Sequence, residues 1–346
     1  MRFGRMNKMS TWIVSAALCL LSVGLATPRV QAQDHPAANQ PKAAASAPSE
    51  ASPVDAAGRL IPGQYAKQIN GLRLWFKIAG KGPVCILPTP GWGPSSDLYI
   101  NSIGKLEEMM TVVYFDTRAS GRSQAPSQPT ELTRANLESD LDQLREWLKQ
   151  DKVWIFGHST GTVLALQYAL DYPQHVAGLV LVGAALATDE KARDAANKQA
   201  DRIMKEPWFP IAMKAMQADV ARMKLPTAFK ASVMGELPVY FHDQEKLRDV
   251  RSIFDQTDYS LLAAQGMMAS NPVPLNLEPR LPEIKSPTIV MTGASDINAS
   301  PYQANIVHTG IKGSKMFIIP EAGHFPWMEQ PDKFFAALKE GLAAVR

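Results

Sequence analysis

Residues 152–166 read Lys152-Val153-Trp154-Ile155-Phe156-Gly157-His158-Ser159-Thr160-Gly161-Thr162-Val163-Leu164-Ala165-Leu166. The apolar, β-branched and aromatic run predicts a strand over 152–156. From Thr160 to Leu170 the chain is apolar nearly all round and stops at Asp171-Tyr172-Pro173, which predicts a helix buried against a sheet. Between the two lies Gly157-His158-Ser159-Thr160-Gly161, a G-x-S-x-G string in the strand, sharp turn, helix setting that lifts a serine out of the fold. The glycines matter because strand and helix crowd the strained apex. Ser159 is therefore the candidate nucleophile.

A serine hydroxyl is a weak nucleophile near neutral pH. It needs a base within hydrogen-bond reach and a third group that fixes the base's tautomer. After an elbow of this kind the acid and then the histidine are expected later in the chain. A strand at 288–292 runs into Gly293-Ala294-Ser295-Asp296, which puts a carboxylate past a strand's C-terminal end, where open α/β sheets build their sites. A strand at 315–319 runs into Pro320-Glu321-Ala322-Gly323-His324-Phe325. Asp296 is the expected acid and His324 the expected base. Of the rival histidines, His175 precedes a strand, His242 lies in an insertion and His308 falls in a helix-like stretch. His158 points away from its neighbour in an elbow and is expected to pack or hydrogen bond. A tetrahedral intermediate also needs two N–H donors. Thr160, at the start of the helix, is one. The other comes from the loop Pro88-Thr89-Pro90-Gly91-Trp92-Gly93; prolines carry no N–H, so Thr89, Gly91 or Trp92 donates, with Thr89 preferred.

Further strands at 72–78, 84–87, 110–115 and 176–182 alternate with helix-period segments, such as Leu137, Leu141, Leu144 and Leu148 on one helix face. That alternation predicts a mainly parallel sheet. After Gly183 it breaks. Residues 187–281 read as an inserted helical cap between two halves of a catalytic domain, 58–186 and 282–346. The cap holds Met204, Met213, Met216, Met223, Met234, Met267 and Met268 of the chain's 15 methionines. They are read first as the cap's own core, and secondly as an adaptable apolar substrate lining.

Residues 1–32 stand apart: Arg2, Arg5 and Lys8 precede an apolar run of about 15 residues, shorter than the roughly 20 a membrane span needs. Val30-Gln31-Ala32 then offers small residues at the positions a signal peptidase reads. This predicts an export signal cut after Ala32, a periplasmic or secreted protein, and no stable membrane insertion. Leu18 before Cys19 argues against lipid attachment. The net charge of +3 becomes −1 once Arg2, Arg5, Lys8 and Arg29 leave. Without a basic block, no nucleic-acid partner is implied. Residues 33–57, rich in Ala, Pro, Ser and Gln, read as a disordered linker. Cys85, in the run Val84-Cys85-Ile86-Leu87, reads as a small buried hydrophobe. No metal-ligand spacing, dinucleotide fingerprint or P-loop occurs, so no cofactor is implied.

These residues resemble the α/β hydrolases of the proline iminopeptidase-like group, over 60–186 and 285–345. The carriers are the Ser159 elbow, Asp116-Thr117-Arg118-Ala119-Ser120-Gly121-Arg122-Ser123, Gly293 to Asp296, and Gly323-His324-Phe325 with Glu329-Gln330-Pro331. The resemblance implies an eight-stranded, mostly parallel sheet flanked by helices. It further implies a serine hydrolase acting on a small-molecule ester or amide. Serine at the elbow argues against the dehalogenase and epoxide-hydrolase relatives, which carry aspartate there. Two departures stand out. The group's H-G-G-P-G loop reads Leu87-Pro88-Thr89-Pro90-Gly91 here. The cap also lacks the W-x-x-W-E element by which proline iminopeptidases bind a substrate amine; Glu190, Glu206, Glu236 and Glu245 read instead as solvated surface charges. Prolyl aminopeptidase activity is one alternative, and a non-catalytic ligand-binding protein on the same fold is another.

Overall fold

The computed structural model describes residues 48–184, 186, 190–270 and 276–345. The proposed signal 1–32, the linker up to 47 and the first cap residue, 187, lie outside the described residues. Eight strands form one sheet: β1 (Gly63–Ile69), β2 (Leu72–Gly80), β3 (Val84–Pro88), β4 (Thr111–Phe115), β5 (Val153–His158), β6 (Val176–Val182), β7 (Thr288–Gly293) and β8 (Lys315–Ile319). Their order is β1-β2-β4-β3-β5-β6-β7-β8. β2 is antiparallel to both β1 and β4, and every other pairing is parallel.

Two features depart from the sequence reading. β1 was not among the expected strands. It pairs with β2 through Asn70 at φ 49° and Gly71 at φ 80°, the left-handed pair that a tight hairpin demands. Residues 48–57 are not a disordered linker. Ser49 bridges to Tyr65 and exchanges hydrogen bonds with β1, donating to Gln64 O at 2.9 Å and accepting from Ala66 N at 3.0 Å. Pro53 O accepts from Ile61 N at 2.7 Å. Ala, Ser and Pro cannot build a core, but their backbone can cover an open sheet edge.

The central strands are buried on both faces, as parallel strands between helix layers must be. Ile86, Ile155, Leu179 and Val290 face a core shared with Leu141, Leu144 and Leu148, and with Leu166 of the buried helix. Cys85, Leu87, Phe156, Val180 and Met291 face the other core, with Tyr99, Trp327, Phe334 and Leu338. Cys85 is fully buried, and burial pushes its thiol pKa up. Helix α2 (Arg134–Trp147) and helix α3 (Thr160–Asp171) pack on the first face, following the short α1 (Asp97–Ile100).

Among the described residues, five α-helices lie in the insertion: α4 (Glu190–Ala200), α5 (Phe209–Met216), α6 (Pro226–Tyr240), α7 (Gln244–Gln256) and α8 (Leu261–Ser270). After β7 follow α9 (Pro301–Gly310), α10 (Pro326–Glu329) and α11 (Pro331–Ala344). Met213 and Met216 sit in a core of the insertion with Phe209 and Val239, while Met223 and Met268 pack against a second one. The insertion is not wholly separate from the sheet domain. Leu237, Phe241, Leu247 and Phe254 belong to the same core as β3, β5 and β6.

Candidate active site

Ser159 stands between β5 and α3 at φ 55° and ψ −127°, a conformation that costs a non-glycine residue about 1–3 kcal/mol. The neighbours leave it no alternative. A Cβ on Gly157 would lie 2.6 Å from Gly161 O and 2.8 Å from Thr162 Cα, so only glycine lets β5 and α3 come this close. Gly161 is less constrained, with Pro90 Cβ at 3.6 Å from a built Cβ. Ser159 N donates to Val182 O at 3.0 Å, and Ser159 O accepts from Thr162 N at 2.9 Å and Thr162 Oγ1 at 2.6 Å. The backbone is thus held from β6 and from α3. The Ser159 hydroxyl makes no hydrogen bond among the described residues, and such contacts commonly tighten only when substrate is bound.

Asp296 and His324 come from the loops after β7 and β8, which touch. A Cβ on Gly293 would fall 2.1 Å from Gly323 O. His324 Nδ1 and Asp296 Oδ2 are 2.8 Å apart, and Asp296 Oδ1 accepts from Ala299 N at 2.9 Å. Asp296 is 1% exposed and His324 4%. With Nδ1–H committed to the carboxylate, Nε2 is the nitrogen left to take a proton. Gly183, at φ 61° just past β6, fixes where this pair sits: its built Cβ would be 3.2 Å from His324 Cε1 and 3.4 Å from Asp296 Oδ2. Because Ser159 is bonded to Val182, the residue before Gly183, the structure gathers Ser159, Asp296 and His324 at one end of β6.

His158 is held by both nitrogens, Nδ1 3.1 Å from Tyr99 Oη and Nε2 3.0 Å from His324 O. A carbonyl only accepts, so Nε2 carries the hydrogen and Tyr99 donates to Nδ1. Burial, reinforced by the nearby His324, holds the His158 pKa well below its ordinary value. The ring is a neutral bracket under the His324 loop. His175 pairs with Asp142 at 2.7 Å, His242 with Ser295 at 2.7 Å and His308 with Ser314 at 2.8 Å.

The expected oxyanion donors fare differently. Thr160 opens α3, so its N–H has no acceptor within the helix. Its Oγ1 donates to Pro90 O at 3.0 Å, which lays the loop after β3 over the helix start. Thr89 is a correction. The parallel β3–β4 ladder runs one residue past Pro88, and Thr89 N donates to Phe115 O at 2.9 Å. Its hydroxyl is spent on Thr117, 2.6 Å from Thr117 Oγ1. That leaves Gly91 and Trp92, further along the loop, as the candidate second donors.

That loop is fastened to the insertion. Ser260 N donates to Gly93 O and Ser95 N to Asp258 O, both at 2.8 Å, and Trp92 stacks on Tyr259. Met267 Cε would lie 2.5 Å from a Cβ on Gly91. Of the insertion's methionines, Met267 thus reaches the site loop. Asp116 explains the D-T-R-A-S-G-R-S stretch: its carboxylate accepts from Ser96 N at 2.7 Å and Arg122 N at 2.9 Å, bracing the end of the same loop.

Glu236 is a second correction. It is half-buried on α6, and burial pushes its carboxyl pKa above the ordinary value. It accepts from Ser232 Oγ at 3.2 Å and Tyr240 Oη at 2.8 Å. No ion pair joins it among the described residues. The Tyr240 ring lies 5.5 Å from the His324 ring. The Asn298 side chain faces Tyr240, and Asn298 Oδ1 and Trp208 Nε1 are buried without hydrogen-bond partners. Sequence reading missed these groups because only tertiary packing brings α6 to the histidine. Among the described residues, no group of three or more His, Cys, Asp or Glu is placed to hold a metal.

Comparison with known proteins agrees with this fold. A family model described as alpha/beta hydrolase fold matches residues 83–207. A proline iminopeptidase of Saccharolobus solfataricus is 24% identical over 293 residues, covering 79% of this chain and 90% of that protein. An alpha/beta fold family hydrolase from Bacillus anthracis superposes with a TM-score of 0.68 at 18% identity, covering 81% of this chain and 99% of that one. The enol-lactonase from Burkholderia xenovorans gives 0.62 at 23% identity, covering 80% and 99%. The family match runs from β3 through the elbow, and with a sheet of this order the chain has the α/β-hydrolase fold, which its hydrolase relatives share.

Proposed function

We propose that the chain is an exported serine hydrolase that cleaves an ester or amide bond of a small, partly apolar substrate through an acyl-enzyme on Ser159. The observation that carries this reading is the Asp296–His324 pair packed against Gly183, next to the residue that holds Ser159. Ser159 Oγ attacks the carbonyl carbon while its proton passes to His324 Nε2. Asp296 stays ionised and stabilises the imidazolium. The resulting oxyanion takes hydrogen bonds from Thr160 N–H and from Gly91 or Trp92 N–H. Collapse expels the alcohol or amine, which receives the proton from His324. Water then attacks the acyl carbon by the same route and frees Ser159. The lactonase and iminopeptidase among the relatives keep both ester and amide substrates in view. Export rests on residues 1–32 alone, with their basic start, apolar run and Val30-Gln31-Ala32.

A second reading, aminopeptidase action on a substrate with a free amine, is favoured by Glu236. It is a carboxylate near the site without a cationic partner among the described residues, and a buried unpaired charge is costly unless a ligand neutralises it. The experiment is side-by-side turnover of p-nitrophenyl acetate and proline p-nitroanilide, with Ser159→Ala as control. Ester turnover lost in the variant supports the first reading, and faster proline anilide turnover supports the second. No turnover of either, together with no labelling of Ser159 by a fluorophosphonate, would refute the enzyme and favour a ligand-binding protein.

A further inference from the structure

One carboxylate joins the histidine loop to the insertion. Glu329 ends α10, five residues past His324, and is 2% exposed. Its Oε2 accepts from Gly323 N at 2.5 Å, while Oε1 accepts from His242 N at 2.7 Å and Asp243 N at 3.0 Å. His242 and Asp243 lie where α6 gives way to α7. Tyr240, two residues before His242, repeats the join: its O accepts from His324 N at 2.7 Å, and a Cβ on Gly323 would collide with the same oxygen. His242 Nδ1 also reaches Ser295 Oγ, beside Asp296. Three N–H groups from two separate chain segments therefore converge on one buried side chain.

We infer that Glu329 is a positioning residue: its carboxylate fixes the backbone of the His324 loop onto the α6–α7 junction, so the insertion sets how the base meets Ser159. The inference rests on the triad reading. A carboxylate only accepts hydrogen bonds, and all three of its partners donate. An amide in its place turns a donor toward one of them, which pushes the two segments apart. Glu329 touches no reacting atom, so it acts through the placement of His324.

Its protonation gives the loop a pH signature. Burial pushes the Glu329 pKa up to about 7, against the three N–H donors, which favour the charged form. The charged or titratable groups around it are Asp243 and His242 at the start of α7, Arg202 after α4, and Glu321 in the β8 loop. Asp243 raises the pKa further. The clamp is complete only when Glu329 is ionised.

The test uses the full chain and Glu329→Gln, with folding followed by circular dichroism. Two readouts are the rate of fluorophosphonate labelling at Ser159 and the kinetics on p-nitrophenyl acetate. Both kcat and the labelling rate should fall together, by about 10- to 100-fold, the scale of a displacement near 1 Å, with KM changed less than about twofold. Unchanged kcat, or a rise in KM at constant kcat, overturns the inference. Should the variant not fold, Glu329→Asp decides: its acceptor-only carboxylate on a shorter arm cannot span both segments, so kcat should fall with KM little changed, and a wild-type kcat overturns the inference. A wild-type chain whose Ser159 does not label sinks the triad reading itself. Normal wild-type labelling with an unaffected variant sinks this inference alone.

Discussion

The elbow and the insertion are built on opposite principles. Around Ser159, structure follows from neighbours one to five residues away: Gly157 has no room for a methyl group, and the helix begins at once. In the insertion, the same few residues serve two structures at once. Tyr240 closes α6 and accepts the His324 N–H, while Tyr259 follows α7 and stacks on Trp92. Local sterics make the first region legible and tolerant of little. Long-range packing makes the second hard to read, with its important residues scattered among ordinary ones.

The contrast breaks most sharply at the apex. Ser159→Ala should lower kcat by about 10⁴-fold or more, equivalent to roughly 5.5 kcal/mol, with melting temperature almost unchanged. Ser159→Gly should be as inactive and more stable by about 1 kcal/mol, because glycine tolerates φ 55°; denaturant midpoints of the two variants check this. One position back, Gly157→Val should destabilise by roughly 3 kcal/mol or more, since its Cβ would meet backbone rather than movable side-chain atoms. Urea titration of the purified variant measures it.

On the insertion side the largest effect expected is one of pH. The folded Glu329 pKa, about 7, lies above its ordinary 4.5, so the folded chain holds a proton that the unfolded chain releases. That contribution is fully present below about pH 4.5 and is lost as pH rises through 7. The loss approaches about 3 kcal/mol in the wild type and disappears in Glu329→Gln. Comparing the two by urea unfolding at pH 5 and pH 8 isolates it. The smallest effect should come from Ile211, 70% exposed on α5: Ile211→Ser should change stability by no more than about 0.5 kcal/mol by the same titration.

The residues show why legibility was uneven. Strands β2 to β8, the buried α3 and the order serine, acid, histidine could be read because each is a short-range pattern. β1 could have been found as well: Asn70-Gly71 between Gln64-Tyr65-Ala66-Lys67-Gln68-Ile69 and Leu72-Arg73-Leu74 is a hairpin signal. Residues 48–57 escaped because their order comes from backbone bonds to an edge strand, which composition does not encode. Thr89 misled because sequence shows which residues own an N–H but not that a ladder runs one step further to Phe115. Glu236 looked like any surface glutamate, and Glu329 stood out only as part of Glu329-Gln330-Pro331; only the fold shows one beside Tyr240 and the other beneath Gly323.

The paired attachments at Pro94–Tyr259 and at Tyr240–His324 also bear on how such a protein can diverge. A helical insertion joined only at its two chain ends could be exchanged between relatives like a cassette. Here residues 240–260 touch both the loop after β3 and the His324 loop, so they must co-vary with the sheet domain. A chimera that imports a foreign insertion should keep its activity only when the crossover points leave 240–260 with its native partners.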